Sequence, residues 1–374
     1  MLKDRYGNLV STASQTALAD YDDALELMRI YRGDPIAKLD AALTEDPDFG
    51  GAWAARAGLL AQQADLAYAD ELTKSIRAGA AARLNDRERA HLTAAHAWSE
   101  GRYHEGAATL AQVAQENPRD LLAVQFAHTS CFYLGMQHEL RDWPLQAMRA
   151  FRRGDDGYGV LLGMTAFGME ECGDYGRAEA MGSEAVEIDP RDGWAIHAVA
   201  HVHEMRGDID RGIPWLKDNA GNWAPDSGFA YHNWWHLGLL HLEGGEVTEV
   251  LKLYDEKVRP DPASSIVLEM IDASALLWRL KLEGVELAHR FPALAAAWER
   301  AAEDAFYAFN DLHAIMAFLG AGRLADAERV LKAMRRAADN GGDNGYVTRK
   351  IGLPLAEAFL GGVDKMAWYR GRVG

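Results

Sequence analysis

Five prolines set the register of this chain. Pro47, Pro118, Pro190, Pro225 and Pro260 follow one another at intervals of 71, 72, 35 and 35 residues. These are two, two, one and one multiples of a unit near 35. Proline stops a helix, because it lacks the amide hydrogen and its ring clashes with the preceding turn. A second mark falls between the prolines: Gly, any residue, an apolar or aromatic residue, two more, then a small or apolar one. It occurs as Gly101-Tyr103-Gly106, Gly173-Tyr175-Ala178, Gly207-Ile209-Gly212, Gly245-Val247-Val250 and Gly322-Leu324-Ala327. The glycine lets one helix stop and the next begin. The small residue lets the paired helices approach closely.

Two helices per unit at a period near 34 residues is the pattern of tetratricopeptide hairpins. Strand signals are almost absent, and apolar residues recur at three and four. The predicted fold is therefore all-α, a tetratricopeptide-like right-handed solenoid of antiparallel helix hairpins. Residues 1–374 read as a single helical-repeat domain with no linker, most regular over about 98–260. The stretches 13–97 and 262–360 read as helical but less regular. The polar run 340–345 and the tail 362–374 are expected to be mobile.

Composition narrows the partners. The hydrophobic fraction of 49% is ample for a core. No stretch approaches about 18 uninterrupted apolar residues, and Met1 to Ser14 lacks the apolar segment of a secretory signal. A net charge of −17 repels phosphate backbones and anionic lipid, so neither nucleic acid nor membrane is an expected partner. Cys131 and Cys172, the only cysteines, read as reduced thiols and fit a cytoplasmic protein.

The same register organises a candidate site. His197 and His201 fall 7 and 11 residues after Pro190, and His232 and His236 fall 7 and 11 after Pro225. A spacing of four puts both imidazoles of a pair on one helix face. Adjacent repeats should then show their histidines in one direction. Trp194, His197, His201 and Glu204 form one stripe, and His232, Trp235, His236 and Leu239 the next, while His203 points elsewhere. Six of the thirteen histidines lie between 197 and 241, so the clustering is local and not a matter of composition.

The stripes are expected on the concave face, where solenoids hold ligands. Neutral imidazoles bind zinc, nickel, copper or iron, and a carboxylate completes a common set. That makes His197, His201, Glu204, His232 and His236 a candidate site for a divalent transition metal. Metal-free roles use the same residues: histidine moves protons near neutral pH, and Trp194 and Trp235 suit an aromatic or cationic ligand. Packed histidines also often do nothing beyond hydrogen-bonding a neighbour. The matched register of two pairs weighs against that. His128 and Asp272 lie near the same register after Pro118 and Pro260 and extend the candidate groove. His313, with Asn310 and Asp311, is a polar cluster on a later repeat. No His-Glu-x-x-His, nucleotide-type glycine loop, Gly-x-Ser-x-Gly or Cys-x-x-Cys is present, so no catalytic residue is assigned.

The segments His197-Ala-Val-Ala-His201-Val-His203-Glu204-Met205 and His232-Asn233-Trp234-Trp235-His236 resemble the tetratricopeptide repeat protein 38 family. His128-Thr-Ser-Cys131-Phe-Tyr-Leu-Gly135, Phe309-Asn310-Asp311-Leu-His313 and Gly352-Leu-Pro-Leu-Ala356 support the resemblance in the same order along the chain. It implies a helical-repeat fold and a shared histidine site, with no reaction attached. The expected function is binding of a peptide, protein or small-molecule ligand in a groove lined by histidine and tryptophan. The alternative is a metal-dependent enzyme using the same histidines.

Overall fold

The computed structural model describes residues 1–287 and 289–362. All of the expected mobile tail beyond Gly362 lies outside the described residues. Among those residues the only sheet is a two-residue antiparallel pairing, Leu2–Lys3 with Leu9–Val10. Everything else of regular structure is helical, and consecutive helices pack as hairpins. The fold is an all-α, tetratricopeptide-like helical repeat.

The turn chemistry read from the sequence acts as expected. Gly101, Gly173, Gly207, Gly245 and Gly322 all adopt left-handed backbone, with φ between 63° and 79°. Each is followed by an amide that reaches back across the end of the first helix. Examples are Asp208 N to His203 O at 2.8 Å and Asp174 N to Met169 O at 2.9 Å. These bonds satisfy carbonyls that the helix end would otherwise orphan. Pro118, Pro190 and Pro225 each lie two residues beyond the second helix of a hairpin, at Glu116, Ile188 and Trp223.

The helices divide into two kinds. Helix Tyr158–Glu171 buries every residue from Gly159 to Glu170, and Gly193–Arg206 is nearly as enclosed. Their partners Tyr175–Ile188 and Ile209–Trp223 bury only a stripe: Ala178, Gly182, Ala185 and Val186 in the first, and Gly212, Leu216 and Trp223 in the second. A helix apolar all round belongs inside a layer, and one with a single apolar stripe covers it. The first helix of each hairpin is therefore the inner one. Its polar residues are the exceptions that need explaining.

The structure falls into two compact units, although the sequence shows no linker. The first comprises Met1–Gln63 and Ala67–His236, and the second Ala64–Leu66 and Leu237 onward. In the first unit the core runs through Tyr21, Phe49, Phe126, Leu161, Phe167 and Trp194. In the second, Trp298, Phe318, Leu276 and Met334 are buried. The stretch 340–345, expected to be a mobile loop, instead starts a helix, Gly342–Val347. Its polar residue Asn344 spends both ends of its amide on the protein. Nδ2 donates to Ala305 O at 2.9 Å, and Oδ1 accepts from Ala308 N at 3.1 Å.

Close helix approach makes one position intolerant. A Cβ on Gly168 would lie 2.4 Å from the backbone of Arg141 and 2.6 Å from that of Leu140. Backbone does not swing aside as a side chain does. Gly168→Ala is expected to destabilise by about 1–3 kcal/mol or more. Gly176→Ala, where a Cβ meets nothing within 4 Å, should be neutral or stabilising. Paired urea melts measure both, and equal midpoints would refute the packing argument.

Candidate functional site

The four register histidines meet in the first unit. His197 and His201 come from helix Gly193–Arg206, and His232 and His236 from helix Ala230–Glu243. His232 Nε2 lies 3.1 Å from His197 Nε2 and 3.2 Å from His236 Nε2. His201 closes the group, its ring centroid 4.3 Å from that of His197 and 4.4 Å from that of His236. One ligating nitrogen from each of the four lies within 4.8 Å of all the others. His197 and His236 are each 1% exposed, while His201 and His232 are partly open to solvent.

The helices are locked in this register by their ends. Asp192 caps the first histidine helix, its Oδ1 accepting from Trp194 N and Ala195 N at 3.0 Å. Asn233 Nδ2 donates to Gly193 O at 3.1 Å, tying the second histidine helix to the start of the first. Trp194 is held by His128. The indole N–H donates to His128 Nε2 at 3.1 Å, and His128 Nδ1 donates to Leu140 O at 3.1 Å. Both His128 nitrogens are thus spent on the protein, and the residue orients Trp194 instead of offering a donor atom. Burial pushes its pKa down to about 3. Trp235 stacks on His232 at 5.3 Å with the rings 14° from parallel. His203 faces away, beside Trp215 and Asp208.

Two glutamates stand behind the group, and only one was singled out in the sequence. Glu204 Oε2 lies 2.8 Å from His236 Nδ1. Glu204, expected among the ligands, therefore engages the ring edge opposite Nε2 and selects the form with the lone pair on Nε2. Glu170 Oε2 lies 3.5 Å from His201 Nδ1. Glu170 precedes Glu204 by 34 residues, and His201 precedes His236 by 35. An acid thus stands behind a histidine of the following hairpin at both places, hydrogen-bonded for Glu204 and looser for Glu170, whose Oε2 makes no hydrogen bond among the described residues. In each, the acid comes from the inner helix one hairpin earlier. The 34-residue offset from Glu204 was the signal that could have found Glu170.

The hydrogen bonding inside the group is frustrated. His232 Nε2 faces two other Nε2 atoms, and one nitrogen carries at most one proton. His197 Nδ1 is buried with no hydrogen-bond partner among the described residues. Burial first, and the neighbouring imidazoles next, hold His197 and His201 well below the ordinary histidine pKa. These two rings are therefore neutral and present lone pairs.

Asp272 and His313 belong to the second unit, where both are buried. His313 Nδ1 donates to Phe309 O at 2.8 Å, and burial pushes its pKa down to about 4. Neither of the two cavities described in the structure is lined by these histidines; Trp298 and Asp311 line one, and Ser11 and Arg83 the other.

Burial, then Glu171 and Glu204, push the Glu170 carboxyl up to about 8. An unfolded glutamate titrates near 4.3. Between about pH 4.3 and 8 the folded state holds a proton that the unfolded state has released, so stability falls as pH rises through that window. Glu170→Gln removes this slope. The variant is expected to melt higher than the parent at pH 9 when both are metal-free, with the difference shrinking towards pH 5. A difference that is constant with pH would contradict the assignment.

No family model matches the chain. Among the described residues no helix is long and apolar enough to cross a membrane. Among solved structures, the chain is similar to Tom70 of yeast over 96% of this chain and 97% of that one, at 11% identity and a TM-score of 0.38. It is also similar to the TPR domain of P58(IPK) over 92% of this chain and 89% of that one, at 11% identity and a TM-score of 0.24. Similarity at this level bears on neither site nor partner.

Proposed function

We propose that this helical-repeat protein binds a divalent transition-metal ion between its two histidine helices, with zinc the best match to an all-imidazole set. His197, His232 and His236 supply three nitrogens and His201 the fourth. The carrying observation is the chain of Nε2 atoms at 3.1 and 3.2 Å, with His236 backed through Nδ1 by the Glu204 carboxylate. Nitrogens about 2.05 Å from a tetrahedral zinc lie roughly 3.3 Å apart, so these edges need little adjustment. An ion also relieves the frustrated contacts, because lone pairs then point at a cation instead of at one another. Carboxylate support behind a ligating imidazole is the usual companion of such sites.

The spacing favours an ion over an organic ligand at these atoms, since rings this close leave no room between them. The enzyme alternative rests on the partial exposure of His201, whose side chain is 23% open. A zinc with one solvent-facing position activates water. Helical-repeat scaffolds also present extended surfaces to peptides and proteins, and a protein partner and a cytoplasmic setting belong to this same reading. On the histidine segments we read the chain as a member of the tetratricopeptide repeat protein 38 family.

Elemental analysis of protein purified without a histidine tag tests the proposal. About one equivalent of a transition metal is expected per chain, retained through gel filtration. Protein that carries none, and takes up none from excess zinc, nickel, manganese or iron, refutes it.

A further inference from the structure

The second unit contains a cleft whose buried hydrogen-bond acceptors go unmet. It lies beside the start of helix Ala308–Gly320 and the turn before it, and is lined by Trp298, Asp304, Phe306, Tyr307, Asn310 and Asp311. Asn310 Nδ2 donates to Ala64 O at 2.7 Å. That bond fixes the amide and leaves Oδ1 as an acceptor. Asn310 Oδ1 and Asp311 Oδ2 are both buried with no partner among the described residues, and the two side chains are only 9% and 4% exposed. A buried acceptor without a donor is costly, and adjacent pairs of them are rare in native proteins.

Three further observations point to a ligand. The rim is strained and pinned: Ala305 has φ +43°, and Asn344 holds the turn on both sides, at Ala305 O and Ala308 N. Strain persists where the surroundings over-determine it, commonly at ligand sites. The wall is aromatic, from Trp298, Phe306 and Tyr307. The lining is acidic: Asp65 is committed to Arg300, at 3.1 and 2.6 Å, but Asp304 and Asp311 add two more carboxyls. Burial, with Asp304 next, pushes the Asp311 carboxyl up to about 8, a penalty that a bound cation offsets.

These features specify the occupant. Asn310 Oδ1 is an acceptor, and Asp311 Oδ2 is one once a bound cation holds its carboxyl ionised, so the occupant donates. Carboxyls and aromatic faces together favour a cation on an apolar stem. The space open to a water-sized group is about 10 Å³, which suits a head group no larger than one water. That favours a compact ammonium over guanidinium or quaternary ammonium. The groups of His, Cys, Asp and Glu able to hold a metal ion, among the described residues, lie in the first unit. We propose that this cleft binds a primary alkylammonium group, with Asn310 Oδ1 and Asp311 Oδ2 accepting its N–H bonds and Trp298, Phe306 and Tyr307 bordering its stem.

Calorimetric titration of the full chain with n-butylammonium tests this, in about 0.15 M salt so that the acidic surface is screened. Saturable one-to-one binding is expected. Butanol and butyl-trimethylammonium should bind at least tenfold more weakly, for want of charge and of room. Asp311→Asn, nearly isosteric, should lose binding by tenfold or more. Ala301→Leu, at the partly exposed rim, should block entry without touching the acceptors. If Asp311→Asn does not fold, Ala301→Leu carries the test. Nα-acetyl-lysine methylamide separates sources: comparable binding points to a protein lysine, and rejection alongside butylammonium binding points to a free amine. Either supports the proposal. No saturable binding of butylammonium, or undiminished binding in the variants, overturns it and leaves the cleft to a buried water.

Discussion

Zinc added to the metal-free protein is expected to raise its melting temperature by several degrees, and His236→Ala to abolish the rise. A ligand that binds only the folded state stabilises it by mass action, by about 2.7 kcal/mol at a concentration one hundred times Kd. His236 is the most committed of the four rings: it is 1% exposed, held through Nδ1 by Glu204, and within 3.2 Å of His232. Alanine favours helix, so helical content should stay at the parent value. Glu204→Gln keeps the ring packed but weakens the acceptor behind it, and should cost roughly 10–100-fold in metal affinity. The graded pair of variants distinguishes coordination from packing. If the histidines only pack, His236→Ala lowers the melting temperature equally with and without zinc, and Glu204→Gln does almost nothing. Melting curves with zinc and with a chelator decide between these outcomes.

The second large effect lies at a buried charge cluster elsewhere in the first unit. Asp120 caps the helix Leu121–Leu134 through Ala123 N at 2.9 Å. Its other oxygen accepts from Arg87 Nη1 at 2.6 Å and His91 Nε2 at 2.8 Å. All three side chains are buried, at 2%, 8% and 3% exposure. Burial alone would push the Asp120 carboxyl up, but His91 and Arg87 outweigh it and hold the group below the usual carboxylate range. Asp120→Ala leaves Arg87 buried without its counter-charge and removes the cap, an expected loss of about 3–5 kcal/mol. Because the folded pKa lies below the unfolded value near 3.9, this stabilisation is complete above about pH 4 and is lost as pH falls further. The gap between parent and variant in urea melts should therefore narrow on acidification. A gap of under about 1 kcal/mol at pH 7 would show the cluster to be incidental.

What the sequence made legible was whatever depends on backbone punctuation. Glycines that must turn left-handed and prolines that must end helices identify themselves, and the hairpins follow from their spacing. The four histidines were legible for the same reason, since register alone determines that equivalent positions on neighbouring helices face one way. Which edge of an imidazole a partner meets is a different kind of fact. Glu204 shares a stripe with His197 and His201, yet it contacts His236 on the first helix of the next hairpin, through Nδ1. Glu170 stayed hidden because it shares no stripe with a register histidine, and only its 34-residue offset from Glu204 reports it. His128 sits close to the register, but the Leu140 carbonyl and the Trp194 indole take both of its nitrogens. Asn344 sits in a run rich in glycine and polar residues that resembles a loop, and its two long-range bonds to the 305–308 turn are invisible to local spacing.

The stagger of the carboxylate–imidazole pairs has a consequence for how this stretch can change. Helical solenoids are ordinarily modular, because each unit touches only its neighbours and units can be gained or lost. Here the hairpin beginning at Tyr158 supplies the acid for the histidine of the hairpin at Gly193, and that hairpin supplies the acid for the next. Excising or duplicating the middle hairpin severs both pairs at once. Three consecutive units therefore behave as one indivisible word in an otherwise extensible text. Length variation among relatives of this chain should fall on either side of them and never within.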